Sequence, residues 1–230
     1  MPAMSGFSPA FDRLGAAYAA ISAQQQEALV DFLPAADWSA DLATGTYTQG
    51  EVTLKVALLG SYAEENRSWL WGWANPQFGP DHPAVVNPTA IGARLAIAEL
   101  TARELDLSWY DGPARSGGDI VAMAATGLIG SPGTIPGSYE GGVAYFAIQD
   151  ASAPVPGWDS LTAPRMITSG LTLFPADHRL TVSRFFSHHR LAFREDETSI
   201  VAALPEGGTC VAEFDEEDRF VSLSMELVAR

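Results

Sequence analysis

Two apolar runs decide how this chain is to be read. Val52-Thr53-Leu54-Lys55-Val56-Ala57-Leu58-Leu59-Gly60-Ser61 is one, and Ser68-Trp69-Leu70-Trp71-Gly72-Trp73-Ala74 is the other. Between them lies the charged stretch Ala63-Glu64-Glu65-Asn66-Arg67. Both runs are short and rich in β-branched or aromatic residues, and a polar turn separates them, so antiparallel strands are expected. Upstream, 38–42 and 46–48 have the same character, with turns at Ala43-Thr44-Gly45 and Gln49-Gly50. A β-meander results. Ahead of it, Leu14, Tyr18, Ile21, Leu29 and Phe32 recur near the helical period, which predicts an amphipathic helix over 11–32 that Pro34 stops.

Asn75-Pro76 and a Pro/Gly-rich loop to Pro83 end the meander. Asn87-Pro88 suits a helix start, and Ile91, Leu95, Ala98, Ala102 and Leu105 extend one face to about residue 107. In Ser116-Gly117-Gly118-Asp119 a turn and helix cap are read before a phosphate loop, with a short helix to 128 and a strand over 139–149. Pro154, Pro156, Gly157 and Pro164 mark a boundary. Beyond it a strand over 166–174, a helix over 177–189 and strands over 199–204, 209–214 and 220–227 are expected. Helix followed by meander thus occurs twice, as an internal duplication would produce. The expected class is α+β: two helix-plus-antiparallel-β-meander units, with extra helices inserted in the first. The division is 1–150, a linker over 151–164, and a smaller unit over 165–230.

Composition narrows the function. The 230 residues are 47% hydrophobic, which argues against global disorder. With 28 acids against 13 bases the net charge is −15, so phosphate backbones are repelled and no nucleic-acid partner is expected. Lys55 is the sole lysine, which excludes a P-loop Gly-Lys-Ser/Thr and a polybasic membrane anchor. The longest mainly apolar run, Ile120–Ile129, is far below the ~20 residues that span a bilayer, so no membrane partner is expected. Residues 1–12 lack the basic start and apolar core of a signal peptide, and the lone Cys210 permits no intrachain disulfide. A cytoplasmic location follows as the expectation. The acid excess suits a basic protein partner.

Few residues stand out chemically. Trp69, Trp71 and Trp73 alternate, so a strand reaching Ala74 would project all three from one face. They would either pack a core under the N-terminal helix or form an aromatic wall for a small apolar ligand, with Asn75 exposed at the strand end. Arg179, Arg184 and Arg190 form either an anion-binding set or an element neutralised by the acidic residues 195–218. His188 and His189 lie about 100° apart on a helix, and no His pair has metal-binding helical spacing, so neither metal nor cofactor is expected. Asp81-His82 and Asp177-His178 are acid–base pairs of the kind any chain offers by chance. Cys210 falls in a predicted strand and reads as inert.

Gly60-Ser61-Tyr62 followed by Trp69-Leu70-Trp71-Gly72-Trp73-Ala74-Asn75-Pro76 resembles the strand end that marks an uncharacterised bacterial domain family of unknown function. The resemblance covers about 11–150 and implies no activity. The stretch Cys210–Phe220 is similar, more faintly, to the closing hairpin of cystatin-like proteins of the nuclear-transport-factor-2 kind. Two functional readings stand. One is a non-enzymatic binding or protein-interaction protein with an acidic surface. The other is a small-molecule enzyme or carrier whose pocket, enclosed by a curved sheet, is lined by the tryptophans.

Overall fold

A computed structural model describes residues 6–112 and 116–227 as an α+β fold with two antiparallel sheets. Helix α1 (Pro9–Phe32) leads, started by Ser8, whose hydroxyl accepts from the Phe11 N–H. Next come strands β1 (Trp38–Asp41), β2 (Thr46–Gln49), β3 (Val52–Ala63) and β4 (Ser68–Trp71), and a 3-10 turn over Gly72–Ala74. Helix α2 (Thr89–Leu95), a second 3-10 turn, β5 (Glu104–Asp106), helix α3 (Gly117–Ile129), β6 (Thr134–Tyr139) and β7 (Gly142–Ile148) follow. The remainder is α4 (Ala163–Leu173), α5 (His178–His188) and strands β8 (Phe193–Glu195), β9 (Ser199–Ala203), β10 (Gly208–Phe214) and β11 (Phe220–Leu227). The first sheet runs β1-β2-β3-β4-β5, with β7 on the other edge of β3 and β6 beyond it. The second runs β11-β10-β9-β8.

Strand β3 organises the first sheet. Its N-terminal part pairs with β2, its C-terminal part pairs with β4, and β7 lies along the opposite edge. Between Leu58 and Gly60 the register against β7 shifts by one residue, a bulge that resets the two-residue alternation of side chains. Ala57 and Leu59 ahead of it and Tyr62 behind it therefore all enter the core beneath α1 and α3. Leu54, Val56 and Leu58 face the opposite way, toward Leu29, Phe146 and Ile148. Gly60 is required here: a Cβ would sit 2.4 Å from Trp69 Cζ2 and 2.7 Å from the Leu70 carbonyl oxygen.

Helix α1 serves both sheets. Phe11, Leu14, Ala16 and Ala19 belong to the core of the first, whereas Ala20 and Ile21 pack with Met166, Ile167, Val182 and Phe185 over the second. Close approach depends on small residues, since a Cβ on Gly170 would meet the Ala20 backbone nitrogen at 2.6 Å.

Several elements differ from the sequence reading. The strand expected over 166–174 is instead a helix that ends at Leu173. Ala163, Met166, Ile167, Gly170 and Leu171 are buried at helical spacing, Pro164 occupies the first turn, and the Thr168 and Thr172 hydroxyls donate to carbonyls four residues back. The helix expected to reach 107 stops at Leu95, because Ala96 adopts a left-handed conformation and the chain folds back. Glu104–Asp106 then becomes a strand that pairs with β4. Strands β6 and β8 have no counterpart among the strands expected from sequence. Finally, β4 ends at Trp71, so Trp73 lies in a 3-10 turn and does not share a strand face with Trp69 and Trp71.

Candidate functional site

Trp69 and Trp71 are both fully buried, with ring centroids 5.3 Å apart in an edge contact. Trp69 leans on Tyr145 at 5.2 Å, and Trp71 Nε1–H donates to the Glu99 carbonyl at 2.9 Å. Trp73 is half-buried beside two core clusters. Asn75 closes its own turn: its side-chain oxygen accepts from Gln77 N–H at 2.9 Å, and its carbonyl from Phe78 and Gly79. These four residues build the core and the loop after it.

The arginines do not converge. Arg179 pairs with Asp218, donates to the carbonyls of Asp196 and Glu197, and lies 4.5 Å from the Phe214 ring centroid. Arg184 and Arg190 are exposed, and Arg190 sits past the far end of α5, about 16 Å along the axis from Arg179 at 1.5 Å per residue. Asp177 caps α5, His178 Nδ1 accepts from Phe220 N–H at 2.9 Å, and His82 Nδ1 accepts from Ala84 N–H at 3.2 Å. Burial pushes the Cys210 thiol up to about 11, so it is unreactive near neutral pH.

A concave site lies at the end of the first sheet where the β3–β4 and β6–β7 turns meet. The Glu64 N–H donates to the Gly141 carbonyl at 3.0 Å and joins the two turns. A cleft of about 360 Å³ opens there between Tyr62, Tyr145, Ser138 and the start of α3. Ser116 and Asp119 form a reciprocal cap: the Ser116 N–H donates to Asp119 Oδ2 at 2.9 Å, and the Asp119 N–H to the Ser116 hydroxyl at 3.3 Å. The Tyr145 hydroxyl donates to Asp119 Oδ1 at 2.8 Å. Burial first, then the Asp119 charge, hold the Tyr145 phenol above its ordinary range, so it remains a donor. Gly118 makes the arrangement possible, because a Cβ there would lie 2.7 Å from Tyr62 Cβ.

Acidic side chains gather at this end of the sheet. Glu64 lines the cleft, and Glu65, Asp106 and Glu140 are exposed on the adjoining turns or strand ends. Arg67 also lines the cleft, but its guanidinium donates to the Tyr110 carbonyl and stands near Asp106. Ser108, through its hydroxyl and its N–H, and then Arg67 hold the Asp106 carboxyl below its usual value. A helix N-terminus with a carboxylate already on it, among these acidic side chains, disfavours an anion and favours a cation. A second hollow of about 380 Å³ shares Asp119, Pro136 and Tyr145 and extends the cleft toward Met123, Gln26 and the exposed Val30. Sequence reasoning reads Glu64, Glu65 and Asp119 as turn and cap residues and Tyr62 only as part of the family-marking motif, and it assigns no role to Tyr145 or Glu140. Only the pairing of β3 with β7 brings them together.

With this geometry in place, comparison with known proteins defines the class. A family of unknown function (DUF6882) matches residues 12–151, and the chain belongs to that family. No curated protein and no solved structure matches it. Among the described residues, no helix is long and apolar enough to cross a membrane.

Proposed function

We propose that the protein is a non-enzymatic binding protein whose acidic cleft engages a basic protein partner. The observation that carries this reading is the pair of carboxylates at Glu64 and Asp119 in a cleft walled by Tyr62 and Tyr145, with Glu140 exposed on the adjoining turn. A lysine or arginine side chain entering there meets negative charge and aromatic edges together, which suits cation recognition. The hollow running to Met123 and Val30 accommodates the apolar stem of the same partner segment. We place the protein in the cytoplasm, in keeping with its lone cysteine. The second reading, an enzyme or carrier with a tryptophan-lined pocket, draws less support, because Trp69 and Trp71 have no exposed surface to offer a ligand.

The test is affinity capture with the wild type and a Glu64→Lys/Glu65→Lys/Glu140→Lys variant, with exchange protection mapped on the captured complex. Capture of a basic protein by the wild type, weakened by salt, lost in the variant and protecting the β3–β4 and β6–β7 turns, is the expected result. A partner retained by the variant, or protection elsewhere, would sink the reading. Duplex DNA is expected not to bind at moderate salt.

A further inference from the structure

The outer strands of the two sheets are not alike. Edge strands are kept from pairing with further chains by shortness, proline or charge. Among the described residues, β1 has four residues and β5 and β8 have three each, with Glu104 and Asp106 on one and Arg194 and Glu195 on the other. Strand β6 carries Pro136. Strand β11 has none of these devices: it runs over eight residues, Phe220–Leu227, without proline and with Glu226 as its single charge. It pairs with β10 alone.

The hydrogen-bond ladder fixes which of its backbone groups face out. The Leu204 N–H donates to the Gly208 carbonyl and the Phe214 N–H to the Thr198 carbonyl, so Gly208, Cys210, Ala212 and Phe214 turn their backbone groups toward β9. Thr209, Val211 and Glu213 turn theirs toward β11, where they meet Glu226, Ser224 and Ser222. The N–H and C=O of Leu223 and Met225 are thereby directed off the edge of the sheet. The side chains of these two residues are half-buried at the border of the second core, opposite Ala212 and Cys210.

Two donors and two acceptors in this arrangement are complementary to themselves. Consider a second copy laid antiparallel along β11, related by a two-fold axis at Ser224 perpendicular to the sheet. Leu223 then meets the second copy's Met225, and Met225 its Leu223, in two doubly hydrogen-bonded pairs. Glu226 falls opposite Ser222, so no like charges face each other. The Leu223 and Met225 side chains of both copies meet on the core side. We propose that the protein self-associates through β11 into a two-fold dimer in which the four-stranded sheet continues across both copies. The acidic cleft belongs to the other sheet and plays no part in this contact.

Four backbone hydrogen bonds and a short apolar strip make a weak interface, so dissociation on the order of 10 μM is expected. Sedimentation equilibrium of the full-length protein from about 1 to 200 μM should show a monomer passing into a dimer. Ser224→Asp sets two carboxylates across the axis, at an exposed position that faces only Val211 within its own sheet, and should weaken the dimer at least about tenfold. Cysteine substitutions then read the register, since the natural Cys210 is buried. In Ser224→Cys the two Cα atoms stand about 4.5 Å apart, within disulfide reach, whereas in Ser222→Cys they are about 14 Å apart. Mild oxidation should link the first into dimers and leave the second unlinked. A wild type that stays monomeric across the range, a dimer that Ser224→Asp leaves intact, or linking at 222 that matches or exceeds linking at 224 would each overturn the proposal.

Discussion

Trp71 has its Nε1–H on the Glu99 carbonyl and its ring fully out of water. Trp71→Phe keeps part of the ring but leaves that carbonyl without its indole donor, a loss of about 1–3 kcal/mol. Urea denaturation checks it; an unchanged midpoint would show that the bond contributes nothing. At His189, burial and then the neighbouring His188 hold the imidazole down to about 4, and the neutral ring donates to Gln24. The unfolded chain takes up this proton near the ordinary value of 6.5, before the folded one does. Stability from this group is therefore complete above pH 6.5 and is lost as pH falls toward 4. In His189→Gln the decline of Tm between pH 7 and 4.5 should flatten, and an unaltered slope would assign it to other groups. Neither property was legible in sequence. The indole's partner lies 28 residues away, and a histidine's burial depends on what packs over it.

At the scale of elements, periodicity located α1 and the strands from β1 to β4, because each is amphipathic or alternates on its own. It failed where two periods overlap. Met166, Ile167, Leu171 and Leu173 read as a strand run, yet Met166, Ile167 and Leu171 fit a helix face equally well, and packing against α1 selects the helix. Gly170→Ala tests that contact: its Cβ would enter the Ala20 backbone, so α1 and α4 must separate, at about 1–3 kcal/mol. Thermal unfolding should show a lower Tm despite the better intrinsic helix propensity of alanine. A raised Tm would mean that propensity wins and the contact is slack. At β5 the deciding factor is the open edge of β4, which pairs with a segment whose own pattern is helical.

For the whole molecule, α1 lies against α3, α4 and α5, so the two sheets share one helix. Ile200→Ala in β9, a fully buried site in the second core, should cost about 2–5 kcal/mol. In a Trp158→Phe background, which removes the indole packed on the second core, it should also lower the midpoint reported by the remaining tryptophans, with fluorescence and circular dichroism moving together. Two separate transitions, with the fluorescence one unmoved, would show that the sheets unfold independently.

The acid excess, the lone lysine, the leading helix and the strands of the meander were determined by the sequence alone, because each is a local or summed property of the chain. The reciprocal cap of Ser116 and Asp119 is local in the same way. Tertiary structure decided the rest. The bulge at Leu58–Gly60 puts Ala57, Leu59 and Tyr62 in one core, and the pairing of β3 with β7 places Glu64 beside Glu140. The packing of α1 against α3, α4 and α5 buries the polar Gln24 and Gln25. Those outcomes depend on contacts between residues far apart in the chain, and no window of sequence contains both partners.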